Sequence, residues 1–258
     1  MSIVLKESEW AKNAIETHQL GKSPYETIRR VARYYIDAGQ SKAQVASEVE
    51  RFVVACDPTT SLSKVDNLIR SAVASAIRHE AVDVGYIGVT QAELCAIKSI
   101  TTGRQAERLA FTLLCLSKYW NIYNGCSSYW VNSKDSEIMQ IANIKTSIKR
   151  QCKLYKDLKD AGLISFSWKV DCTNVKVNFA NDDSDVVLKI SDFRNLGNQY
   201  LMYIGEPYFI CAECGLVTKK NGASTGRKQK YCAECAMSVK SRKSSKKSHE
   251  TSILLHNC

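Results

Sequence analysis

Two cysteine pairs near the end of the chain limit its possible folds more than any other feature. Cys211 and Cys214 have two residues between them, and Cys232 and Cys235 repeat this spacing after seventeen intervening residues. Two intervening residues allow a tight turn to present both thiols to one point, and Gly215 suits the turn after the first pair. Because about fifty residues bury little core, a bound metal ion would supply folding energy that this segment lacks.

Zinc is the expected metal, since it takes four soft ligands in a tetrahedron. The two pairs together resemble a zinc ribbon. With all four positions filled by protein ligands, the expected role is structural rather than catalytic. The alternative is a redox Cys-x-x-Cys motif, which normally occurs as a single pair at the start of a helix. We therefore expect Zn²⁺ to be bound by Cys211, Cys214, Cys232 and Cys235.

The remaining sequence favours an intracellular protein. Its apolar runs are far too short to span a bilayer, and residues 1–10 lack the basic and apolar regions of a secretory signal. We expect a cytoplasmic protein without membrane contact. In the cytoplasm the other seven of the eleven cysteines are expected to be small buried hydrophobic residues rather than disulfide partners.

The net charge of +10 is unevenly distributed. Residues 211–258 contain ten Lys or Arg and three Asp or Glu, and residues 134–179 contain nine and five. Basic charge concentrated in two regions is typical of a polyanion partner, most often nucleic acid. The alternative is that these charges serve solubility and a disordered tail.

The first 84 residues are predicted to form a helical domain. The stretch 23–40 begins with Ser23, Pro24 and Glu26, a capping-box pattern, and is expected to stop at Gly39. Two further helices are predicted from residue 41 to before Pro58 and from residue 61 onward. Arg29, Arg30 and Arg33 form either a basic patch or an exposed helix face. The predicted fold class is mainly α with small β elements.

Residues 85–200 are predicted to form a winged helix-turn-helix domain. Residues 104–123 supply a first helix, and 133–144 and 146–162 supply the helix-turn-helix, with Thr146 as cap and Ile148, Cys152, Tyr155 and Leu158 facing inward. Two alternating strands follow, around residues 171–174. The stretch "EIMQIANI…TSIKRQCKLYKDLKDAGLI" resembles the winged-helix family, in which the second helix enters a DNA groove. The same fold also serves as a protein-docking module.

The resemblance implies DNA contacts along the second helix and the wing. Arg150 is the best candidate for a base edge, and Lys149 and Lys153 for phosphates. The predicted DNA-binding residues of this domain are Lys145, Ser147, Lys149, Arg150, Lys153, Lys169 and Lys176.

A zinc ribbon at 201–240 and a basic, disordered tail at 241–258 complete the predicted organisation. The loop between the cysteine pairs is rich in cations, which suits phosphate binding. Its predicted DNA-binding residues are Lys219, Lys220, Arg227, Lys228 and Lys230.

The whole chain resembles a family of uncharacterised proteins from phages and mobile elements of low-GC Gram-positive bacteria. The segments that carry this resemblance include "SPYETIRRVARYYIDAGQS" and "KISDFRNLGNQYL". It implies a role in replication initiation or transcriptional control of a mobile element. The sequence lacks nucleotide-binding loops and catalytic motifs, so we expect binding rather than enzymatic activity. The alternative is a protein-interaction module that acts as an adaptor or as an inhibitor of a host defence or polymerase complex.

Overall fold

The computed structural model describes residues 3–100, 102–167, 174–182, 185–220 and 229–242. Within these ranges the chain is mainly helical, with three small antiparallel sheets, as the sequence predicts. The predicted tail at 243–258 lies outside the described residues.

Four helices form the N-terminal part of the chain: α1 (Glu7–Thr17), α2 (Pro24–Asp37), α3 (Lys42–Cys56) and α4 (Leu62–Arg78). The apolar residues of α2, α3 and α4 form one hydrophobic core, which includes Ile28, Val49 and Val73. Gly39, with φ of +82°, follows the end of α2 as predicted. Ser23 makes no side-chain capping bond to α2, so the predicted capping box is wrong there.

A second core surrounds the longest helix. The elements around it are β1 (Ile87–Thr90), α5 (Gln91–Lys98), α6 (Arg104–Asn124), β2 (Trp130–Val131), α7 (Asp135–Ile141), α8 (Ile148–Asp160), β3 (Ile164–Phe166) and β4 (Val175–Val177). Helix α6 is buried along most of its length and packs against α5, α7 and α8. Leu5 and Val82 also belong to this core, although both lie in the predicted N-terminal domain.

The last elements lead from this core to the cysteine pairs: β5 (Val186–Ile190), α9 (Leu196–Tyr203), β6 (Tyr208–Ile210) and β7 (Val217–Lys219). Strand β5 pairs antiparallel with β1, and β6 pairs antiparallel with β7. Strands β3 and β4 are the two strands of the predicted hairpin. Strand β2, which precedes α7, pairs with β4, so the sheet has three strands in the order β2–β4–β3. Residues 233–242 are helical.

The predicted inward face of α8 is partly wrong. Ile148 is 78% exposed and Cys152 is also exposed, whereas Leu154, Tyr155 and Leu158 are buried. Helix α8 packs on the core through a different face, which begins at Leu154. The apolar residues of this face also recur at helical spacing. Its cap is Ser147, not Thr146, because the Ser147 hydroxyl oxygen accepts the N–H of Arg150.

The basic cluster predicted on α2 is buried. Arg29 and Arg30 are each 2% exposed, and both donate to Oε1 of the buried Glu7 at 2.9 Å. Glu7 Oε2 accepts the N–H of Val82, so the carboxylate ties α1 and α2 to the segment that follows α4. Burial alone would lower the pKa of Arg29, but the charge of Glu7 raises it above its usual value.

The same arginines connect the two cores. The Arg29 guanidinium lies 5.9 Å from the ring centre of Tyr123 in α6, and His79 stacks on that ring at 5.2 Å. Arg33 donates to the carbonyls of Ala76 and His79 at the end of α4. These arginines therefore neither form a basic surface nor lie on an exposed helix face.

We expect Glu7→Gln to lower the free energy of unfolding by about 3 kcal/mol, because two buried guanidinium groups lose their shared carboxylate while the side-chain shape is kept. Urea denaturation measures the change. Glu9→Gln on the same helix is the matched control, since Glu9 is exposed and its ion pair with Lys6 is also exposed. Its cost should stay below about 0.5 kcal/mol. Equal costs for the two variants would contradict this account of the ion cluster.

Candidate metal centre and basic helix

The two cysteine pairs come together at one point. Their four sulfur atoms lie within 4.8 Å of one another, and the sulfurs of Cys214 and Cys232 are 3.9 Å apart. All four are free thiols in the structure. Cys211 and Cys232 are buried, while Cys214 and Cys235 are half-buried. Four converging sulfur ligands form a group that could hold a metal ion.

A short hairpin positions the first pair. Strand β6 ends directly before Cys211, and the N–H of Cys211 donates to Leu216 O at 3.0 Å. Gly215 adopts a φ of +71° and donates its N–H to Cys211 O, which closes the turn around Cys214. A residue with a Cβ would be strained at this φ, so the glycine is needed for the two thiols to face the same way.

The second pair is fastened to the first through the backbone. Ala212 donates its N–H to Lys230 O at 2.9 Å, just before Cys232. The N–H of Cys232 donates to Cys211 Sγ at 3.3 Å, and the N–H of Cys235 points to Cys232 Sγ at 3.5 Å. Residues 233–242 then continue as a helix. Amide donors aimed at sulfur are the outer contacts that stabilise a thiolate.

Without a cation, the thiols of Cys211 and Cys235 have pKa values shifted in opposite directions. The N–H of Cys232 lowers the pKa of the Cys211 thiol below its usual value, which favours the thiolate. Hydrogen bonds to Cys232 and Cys214 hold the pKa of Cys235 above its usual value. A cation among the four sulfurs would replace the remaining protons and remove this asymmetry.

Two arginines fix the outside of the cysteine cluster. Arg194 donates to Cys214 O at 2.8 Å and is itself held by the carboxylate of Asp192. Arg242 pairs with Glu213, which lies between the two cysteines of the first pair. The first contact ties the cluster to the segment before α9.

Helix α9 joins the hairpin of the cluster to the turn between α7 and α8. The buried Asn198 donates from Nδ2 to Val217 O in β7 at 3.1 Å. Its Oδ1 accepts from Nδ2 of Asn143, in the α7–α8 turn, at 3.1 Å. Asn143 adopts a left-handed φ of 53°, which asparagine tolerates better than most residues. Two side-chain amides thus connect the metal candidate to the start of α8.

The approach of α9 to this turn is very close. A Cβ on Gly197 would lie 2.1 Å from Ala142 O and 3.0 Å from Arg108 Nε. Arg108 in turn donates to the carbonyls of Ala142 and Asn143, which end α7. Any residue larger than glycine would push the α9 backbone away from the turn.

Helix α8 presents a basic surface. Of the predicted DNA-binding residues, Lys145, Ser147, Lys149 and Lys153 are exposed. Arg150 is half-buried and donates from Nε to Oε1 of Gln105 in α6 at 3.4 Å. Lys156 and Lys159 of α8 are also exposed.

The other predicted contacts lie on separate elements. Lys176 is exposed in the middle of β4, and Lys219 and Lys220 are exposed at the end of β7. Lys230 is exposed and its carbonyl is part of the cysteine cluster. The predicted residues Lys169, Arg227 and Lys228 lie outside the described residues.

The sequence analysis missed the residues that join the two regions. Gly197, Asn198 and Arg108 were not predicted to have a role, and α9 itself was not predicted. A glycine followed by an asparagine between apolar residues, in "NLGNQYL", was the available signal of a close packing contact.

Comparisons with models of protein families, with curated proteins and with solved structures find no match for this chain. The resemblance to proteins of phages and mobile elements therefore stays a prediction. In the described part of the chain, no helix is both long enough and apolar enough to cross a membrane.

We expect the purified chain to bind one Co²⁺ per molecule with the intense charge-transfer absorption of cobalt thiolates, because four sulfurs converge. Cys211→Ser should abolish most of this absorption. Cys152→Ser is the control, since that thiol is exposed on α8 away from the cluster, and it should keep the absorption of the unaltered chain. Unchanged spectra for Cys211→Ser would contradict metal binding by the cluster.

We expect Gly197→Ala to destabilise the chain by about 2 kcal/mol, because the new methyl group meets the backbone of the α7–α8 turn rather than a flexible side chain. Gly85→Ala is the matched control, since nothing lies within 4 Å of a Cβ at that position. Its free energy of unfolding should change by less than about 0.5 kcal/mol. Urea titrations of both variants measure the difference, and equal stabilities would refute the close contact.

Proposed function

We propose that the chain binds DNA without catalysing a reaction, through a winged helix whose second helix, α8, is supported by a zinc-bound ribbon. The supporting observation is the order α6–β2–α7–α8–β3–β4 with sheet order β2–β4–β3. Three helices interleaved with a three-stranded sheet in this order are the elements of a winged helix. In that arrangement α8 is the helix that a DNA groove would receive.

The charge state of α8 supports this proposal. Lys149, Lys153 and Lys156 recur at helical spacing along one exposed face. Within the described ranges, none of these three ammonium groups forms an ion pair with a carboxylate, so their charge is available to phosphates. By contrast, Arg29 and Arg194 are neutralised by neighbouring carboxylates.

Zinc is the metal that we propose for the cysteine cluster. Tetrahedral zinc with Zn–S bonds of about 2.3 Å places its sulfur ligands about 3.8 Å apart. The distance of 3.9 Å between the sulfurs of Cys214 and Cys232 fits that value. Zinc would hold the hairpin of β6 and β7 in place, and through Asn198 it would also support the α7–α8 turn.

The wider role proposed is replication initiation or transcriptional control of a phage or other mobile element, in the cytoplasm. It rests on the sequence resemblance and on the proposed DNA binding. Neither role needs a catalytic group from this chain.

A protein-interaction module is the second candidate function, and one surface favours it. Tyr86, Ile122 and Val186 are each more than 40% exposed and line one cavity of about 470 Å³. Exposed apolar side chains grouped in this way are typical of a protein-binding surface. An apolar interface of this kind depends little on salt, unlike phosphate contacts.

Duplex binding by the zinc-loaded chain across a salt series tests the proposal. We expect log K to fall steeply with log salt concentration, and Lys149→Ala/Lys153→Ala to reduce the magnitude of the slope by about 2, because two phosphate contacts are lost. Affinity should fall for all sequences alike.

Lys42→Ala/Lys64→Ala is the matched control, because both lysines are exposed on α3 and α4 and the change in net charge is the same. It should keep the slope of the unaltered chain. If both double variants lost the same amount of affinity, general charge and not α8 would account for binding. If the unaltered chain did not bind at low salt, the DNA proposal would fail and the protein-partner candidate would replace it.

A further inference from the structure

The three-stranded sheet has one apolar and one polar face. Val131, Val175 and Val177 are buried against the core. Trp130 of β2 pairs with Lys176 of β4, so these two side chains lie next to each other on the opposite face. Strand alternation therefore places an indole and an exposed lysine as neighbours on one face of the sheet.

Next to Trp130 and Lys176, the same face of the sheet carries two asparagines and a serine. Asn132 follows Val131, and Asn174 precedes Val175, so alternation puts both on the face of Trp130 and Lys176. Ser167 continues the ladder of β3, since its N–H donates to Asn174 O at 3.2 Å. A neutral polar row thus borders the pair of Trp130 and Lys176.

A cavity of about 380 Å³ lies at this row. From the sheet it is lined by Trp130, Asn132 and Asn174, and from the end of α6 by Trp120 and Asn124. Every described residue that lines it is uncharged. Its size is in the range of pockets that hold small ligands.

Four of the polar side chains that line this cavity have no hydrogen-bond partner among the described residues. Inside the described ranges, the side-chain amides of Asn124, Asn132 and Asn174 and the indole N–H of Trp130 make no hydrogen bond. Other lining groups are engaged: the Trp120 N–H donates to Ser133 Oγ, Asn121 Oδ1 accepts the N–H of Tyr129, and Cys126 Sγ lies 3.3 Å from Ser128 Oγ. Three free amides offer donors and acceptors together, and an adjacent indole offers a flat face.

We propose that this cavity binds an unpaired nucleobase, with Lys176 contacting the phosphate of the same nucleotide. A nucleobase has a flat face for stacking and both donors and acceptors on its edge, which side-chain amides recognise. Because the described lining residues are uncharged, the group recognised inside the cavity is assigned as an uncharged one. Lys176 is the cross-strand partner of Trp130 and is exposed, so its ammonium group can reach a phosphate at the edge of the cavity. This inference rests on the proposed nucleic-acid binding and adds a single-stranded component to it.

The test compares two DNA duplexes that differ at one position, a single unpaired adenine or an abasic residue. Fluorescence anisotropy with the zinc-loaded full chain measures both affinities. We expect the unpaired base to improve binding about tenfold, as expected for one stacked and hydrogen-bonded base. Asn124→Ala/Asn132→Ala should reduce this ratio to about one, because both amides are exposed to the cavity and their removal leaves the core intact.

Two controls separate this cavity from the helix surface. Asn13→Ala/Asn67→Ala removes two exposed asparagines elsewhere and should keep the tenfold ratio. Lys149→Ala/Lys153→Ala should weaken both duplexes and leave the ratio unchanged. Equal affinities of the unaltered chain for the two duplexes would overturn the proposal, as would a retained ratio in the Asn124→Ala/Asn132→Ala variant.

A second readout does not depend on duplex binding. Deoxyadenosine monophosphate should quench tryptophan fluorescence of the unaltered chain, and Trp130→Phe should remove most of that change. Quenching by the nucleotide without any duplex binding would support the cavity while the proposed function fails. No quenching by the nucleotide, or an equal response to glucose, would overturn the nucleobase assignment.

Discussion

The contact between Gly197 and the carbonyl of Ala142 is the constraint on which the arrangement of the C-terminal half depends. With no side chain between them, the backbone of α9 lies directly against the turn that precedes α8. Asn198, one residue later, is then close enough to bond both Asn143 in the turn and Val217 in the hairpin of the cysteine cluster. Helix α9 therefore positions both the start of α8 and the hairpin of the candidate metal centre.

The chain distributes its positive charge in two different ways. Two buried arginines, Arg29 and Arg30, are neutralised by Glu7 and join helices to one another. Lysines on α8 point to solvent and have no carboxylate partner in the described part of the chain. Because a buried unpaired charge is very costly, a paired arginine can serve as a structural connector, while unpaired lysines remain on the surface. Counting charged residues in the sequence does not distinguish buried, paired arginines from exposed lysines.

Local signals in the sequence predicted much of the fold. The cysteine spacing predicted a cluster, and four sulfurs do converge. Gly39 and Gly162 both have positive φ, just after the ends of α2 and α8, as their positions after apolar periodic stretches indicated. The helices and the strand pair around the α7–α8 turn also occur in the predicted order.

Features that depend on distant residues were not predictable from local patterns. The burial of Arg29 depends on Glu7, which lies on another helix. On α8, two groups of residues recur at helical spacing, one starting at Ile148 and one at Leu154. Only the second is buried, because it is the one that packs against the core. Strand β1 is recognisable only through its partner β5, about a hundred residues later. Helix α9 is short and has no side-chain cap, so its sequence carries little helical signal.

Hydrogen exchange of the zinc-loaded chain, with and without duplex DNA, tests the central claim most directly. The claim is that α8 and the three-stranded sheet contact the nucleic acid. Helix α9 and the cysteine cluster hold them in position and make no contact with it. The account predicts slower exchange on DNA binding in residues 145–156 and at β4, and no change in α1 to α4. Protection confined to α1–α4, or a DNA complex that leaves residues 145–156 unprotected, would contradict it.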